Sequence, residues 1–270
     1  MALSNHIGIL GCGWLGLPLA QTLVSDGYTV SGTTTTPEKC ADLERKGVTP
    51  YIVTLSEAEV TGTLDAFLAT VDTLVVNIPP GLRRNPAENY VLKMTLLLRH
   101  IRASQVQQLL FVSSTSVYGS VSGTITEQIQ PQPQTKSGQQ LLQAEDCFRE
   151  EPTIATTVVR FGGLLADDRH PVRRLSQKTL RNGNELVNLI HRDDCIRMIQ
   201  TILKQGYWNS LFNGVYPHHP TKAVFYTAEA KRIGLAPPKY VKPDIAPPQR
   251  IVSSANFEAK GHRFIRPIVG

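Results

Sequence analysis

Ile7-Gly8-Ile9-Leu10-Gly11-Cys12-Gly13-Trp14-Leu15-Gly16 joins a short apolar run to a G-x-G-x-x-G spacing. Glycines also mark ordinary turns, so the spacing gains meaning only from what stands on either side of it. Ile7 to Leu10 read as a buried parallel strand, and Leu15, Leu19 and Leu23 with Ala20 mark one apolar face of a helix over residues 14–25. Asp26-Gly27 ends that helix, and residues 28–32 read as a second short strand. The strand, turn, helix and strand have the length of one βαβ unit. In such a unit the first glycine permits a tight turn, the second lets a pyrophosphate approach the backbone, and the third lets helix pack on strand. The helix start adds free N–H groups and a partial positive charge. Gly11, Cys12, Gly13, Trp14, Leu15 and Gly16 are therefore expected to bind a dinucleotide; the competing reading is a glycine-rich turn with no ligand.

Cofactor choice is read at the end of the second strand, where an Asp or Glu would accept both ribose hydroxyls of NAD. This chain has Thr33-Thr34-Thr35-Thr36, with no acid before Glu38. Thr33 and Thr34, with Lys39 nearby, could donate to a 2′-phosphate, which leans towards NADP over NAD, although no arginine is present. Threonines also suit a strand end by β-propensity alone, and both readings stand.

At 270 residues, 41% hydrophobic and 19% charged, the chain has the length and composition of a soluble globular protein with a large core. Cys12, Cys40, Cys147 and Cys195 are scattered and form no C-x-x-C pair, which points to neither a disulfide framework nor a metal knuckle, and to the reducing cytoplasm. Residues 7–23 are apolar, but no basic segment precedes them, so strand, loop and helix explain them better than a signal peptide. No stretch is long enough to span a membrane. The net charge of +6 is spread through the sequence. Neither Arg83-Arg84 nor Arg173-Arg174 forms a patch with interleaved aromatics, so a solvated basic surface is expected rather than a nucleic-acid partner. If one pair is functional, a phosphate or carboxylate of a small substrate suits the arginine fork.

The βα alternation continues with strands at 51–55, 73–78, 107–113 and 154–161, a short helix at 64–70 and a strong one at 88–104, whose apolar side carries Tyr90, Leu92, Leu96, Leu97 and Ile101. Pro79-Pro80-Gly81 breaks off the fourth strand at the kind of carboxyl end where such sheets bind ligands, so Ile78 and Pro79 are expected to face the cofactor. From about residue 165 prolines punctuate shorter elements: Pro171, Pro217, Pro220, Pro237-Pro238, Pro243, Pro247-Pro248 and Pro267. The expected architecture is an α/β Rossmann-type doubly wound parallel sheet over residues 1–165. A small C-terminal α+β lobe over 166–270 is interleaved with it rather than independent.

Phe111-Val112-Ser113-Ser114-Thr115-Ser116-Val117-Tyr118-Gly119 resembles the S-S-x-x-V-Y-G signature of the extended short-chain dehydrogenases/reductases, a family that includes nucleotide-sugar epimerases and dehydratases. Pro133-Gln134, Glu145, Val159-Arg160-Phe161-Gly162-Gly163 and residues 188–194 match further family landmarks in order. Within that group the chain is most similar to the YeeZ-like bacterial proteins, which share the S-S-T-S-V-Y-G run and a Ser-Gly start to the next helix. The resemblance implies an NAD(P) cofactor, a small-molecule substrate and oxidoreductase or epimerase chemistry. It also leaves open a homodimer through a four-helix contact.

Family chemistry depends on a Tyr-x-x-x-Lys pair, in which the lysine lowers the tyrosine's pKa and holds the ribose. Counting back from Glu145 and forward from Pro133-Gln134 puts these positions at Ser137 and Leu141, so both side chains are missing. Lys136 lies one residue away, about 100° round the helix, and does not replace the lysine. The remaining candidates are Ser114, at the family's active-site Ser/Thr, and Tyr118. Ser114 either positions a ligand or is a strand-end serine satisfied by backbone. Tyr118 is the nearest remaining phenol, though in the family this tyrosine mostly packs or lines the substrate cleft. Ala166-Asp167-Asp168-Arg169 stands where relatives have Gly-Pro-Gly-Arg.

No metal site is expected. His191, Asp193 and Asp194 suit a strand followed by a helix to about Gln205 with Asp193 as its cap. His218-His219 suits a turn, and Ser253 or Ser254 suits the cap of a short C-terminal helix. Two classes of function follow: an atypical NAD(P)-dependent enzyme acting on a small polar, phosphorylated or otherwise anionic substrate, and a non-catalytic dinucleotide-binding sensor or regulator.

Overall fold

Apolar residues that alternate in direction along each strand give the central sheet two buried faces. β1 (His6–Leu10), β2 (Thr29–Thr34), β3 (Thr49–Leu55), β4 (Val60–Gly62), β5 (Thr73–Val76) and β6 (Gln108–Ser114) share one sheet with the later strands Ala155–Phe161 and Leu211–Gly214. From one edge the order is Leu211–Gly214, Ala155–Phe161, β6, β5, β1, β2, β3, β4. Neighbours are parallel throughout except β4, which runs antiparallel to β3. This computed structural model describes residues 6–82, 85–241 and 249–268; Arg83-Arg84, Pro243 and Pro247-Pro248 lie outside the described residues.

Leu74, Val76, Leu109, Phe111 and Val158 point to one face and meet α3 (Leu64–Leu68), α4 (Tyr90–Arg102) and α5 (Lys136–Arg149). Val75, Leu110 and Val159, one residue out of phase, point to the other and meet α1 (Gly16–Ser25), α2 (Cys40–Arg45) and the helix Arg192–Gln205. This is the period-two side-chain alternation of strands buried on both faces. The result is the α/β Rossmann-type layering read from the sequence. β1 lies between β2 and β5, so the chain changes direction across the sheet there and leaves a crevice at the strands' carboxyl ends.

Several boundaries move. β2 continues to Thr34, so the threonine run begins inside the strand, and α1 starts at Gly16 instead of residue 14. The buried stripe of α4 is Tyr90, Met94, Leu97, Leu98 and Ile101, whereas Leu92 is 46% exposed. Two residues along a helix is about 200° of rotation, which puts Leu92 on the face opposite Tyr90. β4 and Leu211–Gly214 had no clear period-two signal because they are only three and four residues long.

Beyond Phe161 the small elements pair across the chain. Gly163–Leu165 pairs with Leu189–His191, Thr179–Leu180 with Lys239–Tyr240, and Arg250–Val252 with Gly123–Ile125. The helix Arg192–Gln205 is capped by His191, whose Nδ1 accepts the Asp193 N–H at 3.2 Å, and not by Asp193 itself. Asp194 is buried and accepts the N–H groups of Ile265 and Arg266 at 3.2 and 2.9 Å, which fastens the C-terminal segment to this helix. Ser254 stands at the N-cap of the short helix Ala255–Ala259, but its hydroxyl donates to Val215 O and makes no capping bond. No described helix is long and apolar enough to cross a membrane.

Candidate functional site

A cleft of about 540 Å³ opens at the carboxyl ends of β1, β2, β5 and β6. Its floor is the glycine loop. Gly11 takes a φ of +106°, and a side chain there would meet Asn77 O at 2.8 Å. Gly16 packs so closely that an added Cβ would lie 2.1 Å from Gly11 O, while at Gly13 an added Cβ would meet nothing within 4 Å. Thus the first and third glycines close the loop, and the second faces open space. No side chain caps α1; the Leu17 N–H donates to Gly13 O at 3.0 Å and Pro18 has none, so the N–H groups of Trp14, Leu15 and Gly16 are the ones left for an incoming anion.

The threonine run holds this loop. Thr33 Oγ1 accepts the Gly11 N–H at 2.9 Å, and Thr33 O accepts the Cys12 N–H at 2.9 Å. Thr34 Oγ1 accepts the Thr36 N–H at 3.1 Å. Both side chains are largely buried yet line the cleft, together with the exposed Thr35 and Lys39 and the half-buried Thr36. Asn77 completes the loop by donating its Nδ2 proton to Gly11 O at 3.1 Å. Sequence reading missed Asn77; its position directly before Ile78, at the broken end of β5, was the available signal. Cys12 lines the cleft, yet burial pushes its thiol up to about 12, far from a nucleophile's range. Ile78 and Pro79 line the cleft beside Asn77.

Trp14 reaches across to the C-terminal lobe. Its Nε1 donates to Asp168 at 3.0 Å, and the guanidinium carbons of Arg169 and Arg192 lie 5.0 and 4.8 Å from its ring centre. Burial works against the Asp168 charge, but Trp14 and Arg192 outweigh it and hold the carboxyl below its ordinary value. Of this group Trp14 and Arg169 line the cleft. Among the described residues, neither Arg169 nor Lys39 has a carboxylate partner, and no Asp or Glu lines the cleft.

At the opposite end stand Ser113, Ser114, Val112, Leu141, Phe161 and Leu164. Ser114 Oγ accepts the Ser116 N–H at 3.1 Å as the cap of a short turn, leaving its own proton to donate. Ser113 lines the cleft too, but its hydroxyl donates to Glu145. Tyr118 is not brought into the cleft. It is fully buried, donates its hydroxyl proton to Asn213 Oδ1 at 2.9 Å and lies under the Arg160 guanidinium. Burial raises its pKa. Leu141 occupies the cleft wall where the family places its lysine, while Ser137 is absent from the lining and Lys136 donates to Pro86 O, 2.7 Å away.

A parallel sheet with a glycine loop at its switch point and a cleft above it defines a Rossmann-type dinucleotide-binding protein. The family model described as NAD(P)H-binding matches residues 11–205, and the chain belongs to this family, within the extended short-chain dehydrogenase/reductase, epimerase-like superfamily. Protein YeeZ of Escherichia coli (strain K12) is 34% identical over 239 residues, which cover 87% of this chain and 86% of that protein. A Methylobacillus flagellatus protein assigned to the NAD-dependent epimerase/dehydratases is 26% identical, with a TM-score of 0.75 over 98% of this chain and 94% of its own. The UDP-glucuronic acid 4-epimerase of Bacillus cereus, solved with NAD, shares the fold at 18% identity, with a TM-score of 0.77 over 97% and 94% of the two chains.

Proposed function

We propose that the cleft holds a nicotinamide dinucleotide, NADP(H) in preference to NAD(H), and that the chain is an oxidoreductase or epimerase-like enzyme of the cytoplasm. Its substrate is a small polar anion, and it works without the usual tyrosine and lysine. The observation that carries the reading is the charge of the cleft: a glycine loop and an uncapped helix start face Lys39 and Arg169, with no carboxylate on the walls. Such a lining attracts phosphate groups. The open space at Gly13 admits a pyrophosphate to the backbone, and Thr35, Thr36 and Lys39 stand where a 2′-phosphate would lie. The bound dinucleotide supplies hydride chemistry. Ser114 holds a ligand oxygen by donating its free proton. With no phenol or imidazole on the cleft walls, proton exchange falls to water.

Leu141 on the cleft wall favours a second reading, in which the dinucleotide is bound and sensed but not turned over. Two measurements test these readings. In a Trp208→Phe background, Trp14 fluorescence should quench saturably with NADPH and, several-fold more weakly, with NADH. Lys39→Ala should remove most of that difference, on the scale of one exposed charge pair, roughly threefold. No response to either nucleotide refutes the binding. Oxidation of NADPH with a panel of carbonyls, or conversion of nucleotide sugars to their epimers without net change in the cofactor, cut about a hundredfold by Ser114→Ala, supports the enzyme. Binding without any turnover supports the sensor.

A further inference from the structure

The phosphates of a dinucleotide are the same in its oxidised and reduced forms. Only the nicotinamide changes, from a cationic pyridinium to a neutral dihydropyridine. With the adenosine ribose at the end of β2, the nicotinamide half falls on the other side of the switch point, over β5 and β6. The walls there are Ile78, Pro79, Val112, Leu141, Phe161 and Leu164, an apolar surface broken by the Ser113 and Ser114 hydroxyls. No carboxylate lines this end. Glu145, behind Ser113, is bound by Arg160 through contacts of 2.6 to 3.1 Å, and Asp168, beyond Trp14, is bound by Arg192 at 3.0 Å. The two charges that do line the cleft, Lys39 and Arg169, are both positive. A cationic ring placed here loses water without gaining a counter-charge. The neutral ring does not meet that penalty.

We propose that this site selects the reduced dinucleotide over the oxidised one, because its nicotinamide end is apolar and carries no carboxylate. The proposal rests on the dinucleotide reading above and sharpens it: the state the chain registers, as enzyme or as sensor, is a high ratio of reduced to oxidised cofactor. Selection by a factor of ten corresponds to a bound couple about 30 mV more positive than the free one.

The test is calorimetric titration of the full chain with NADPH and NADP⁺ separately, and with NADH and NAD⁺. We expect dissociation constants at least tenfold lower for the reduced member of each pair. Leu164→Glu, which adds a carboxylate on a half-buried cleft position, should bring the ratio below threefold, whereas Leu164→Gln should leave it near the starting value. Equal affinities, or tighter binding of the oxidised form, overturn the proposal while leaving the dinucleotide reading intact. A ratio that Leu164→Glu does not change overturns its electrostatic cause. Failure of all four nucleotides to bind removes the dinucleotide reading, and the proposal with it.

Discussion

Replacing Glu145 by leucine is expected to cost the fold about 3–5 kcal/mol, the scale for breaking a buried ion pair from one side. Glu145 has no exposed surface and Arg160 is 2% exposed. Arg160 Nε reaches both carboxylate oxygens at 3.1 and 3.0 Å, and Nη2 reaches one of them at 2.6 Å. Burial works against the guanidinium charge, but Glu145 and the neighbouring Tyr118 raise the arginine's pKa above its ordinary value. Removing the carboxylate therefore strands a cation in the core, because Arg160 Nη1 has no partner to fall back on among the described residues. The double variant Glu145→Leu/Arg160→Met removes both charges, and an apolar pair of similar volume is often neutral or better than the ion pair it replaces. Urea denaturation should show the single variant far less stable than the double one. Equal losses would mean that shape, not charge, is what the pair contributes.

That network explains why Tyr118 is a frame residue. Its hydroxyl is fixed to Asn213, whose backbone N–H in turn donates to Glu127 at 2.9 Å and whose Nδ2 donates to Ser253 O at 2.9 Å. A phenol held in this way ties β6 to Leu211–Gly214 and to the C-terminal tail. Motif reading offered Tyr118 as the nearest remaining phenol, with packing or lining the cleft as the family's usual role for it. The turn at Thr115–Tyr118 leaves Ser114 at the cleft and sends Tyr118 into the core. Spacing along the chain could not show that.

The fold was more legible than the site. The glycine spacing behind an apolar strand, followed by helix and strand of the right length, was enough for the parallel sheet, because each local preference agrees with the same βαβ geometry. The two-faced burial of β5 and β6 was visible as near-continuous apolar runs, while Ala155–Phe161 carries Thr156, Thr157 and Arg160 among its apolar residues. Leu211–Gly214 was not, since its four residues include Asn213 and Gly214, one chosen for hydrogen bonds and the other for packing against Phe161, where an added Cβ would come within 2.4 Å. In the site, residue types that bind through backbone or fixed loop geometry were read from sequence. Those that depend on long-range approach were not: Asn77 on Gly11, and Asp168, Arg169 and Arg192 on Trp14, the last three more than 150 residues away from it in the chain. Thr33, read as a ligand group, lines the cleft and at the same time accepts the Gly11 N–H that shapes the loop, a second role that spacing did not show.

The second and third glycines of the loop should fail in different ways, and that difference tests whether the loop is a binding element or only a turn. Gly16→Val places a Cβ where 2.1 Å separates it from Gly11 O and 3.0 Å from Asn77 Nδ2. The start of α1 must move, the Asn77 clamp must break, and stability should fall by about 1–3 kcal/mol, the usual cost of overpacking. Loss of affinity for NADPH should follow by about two orders of magnitude, as expected when binding groups are displaced by an ångström. Gly13→Ala differs in kind. Its Cβ meets no protein atom within 4 Å, and Gly13 does not require a positive φ, so the thermal midpoint should stay within about 1 °C of the parent, as for an exposed substitution without strain. The new methyl group nevertheless stands where a pyrophosphate would approach the backbone, and affinity should drop by about tenfold or more through lost phosphate contacts to N–H groups. An unchanged midpoint with weakened NADPH binding separates ligand space from fold space in one substitution. If Gly13→Ala binds NADPH as the parent does, the phosphates lie elsewhere in the cleft, and the cationic wall at Lys39 and Arg169, rather than the glycine loop, becomes the primary anchor.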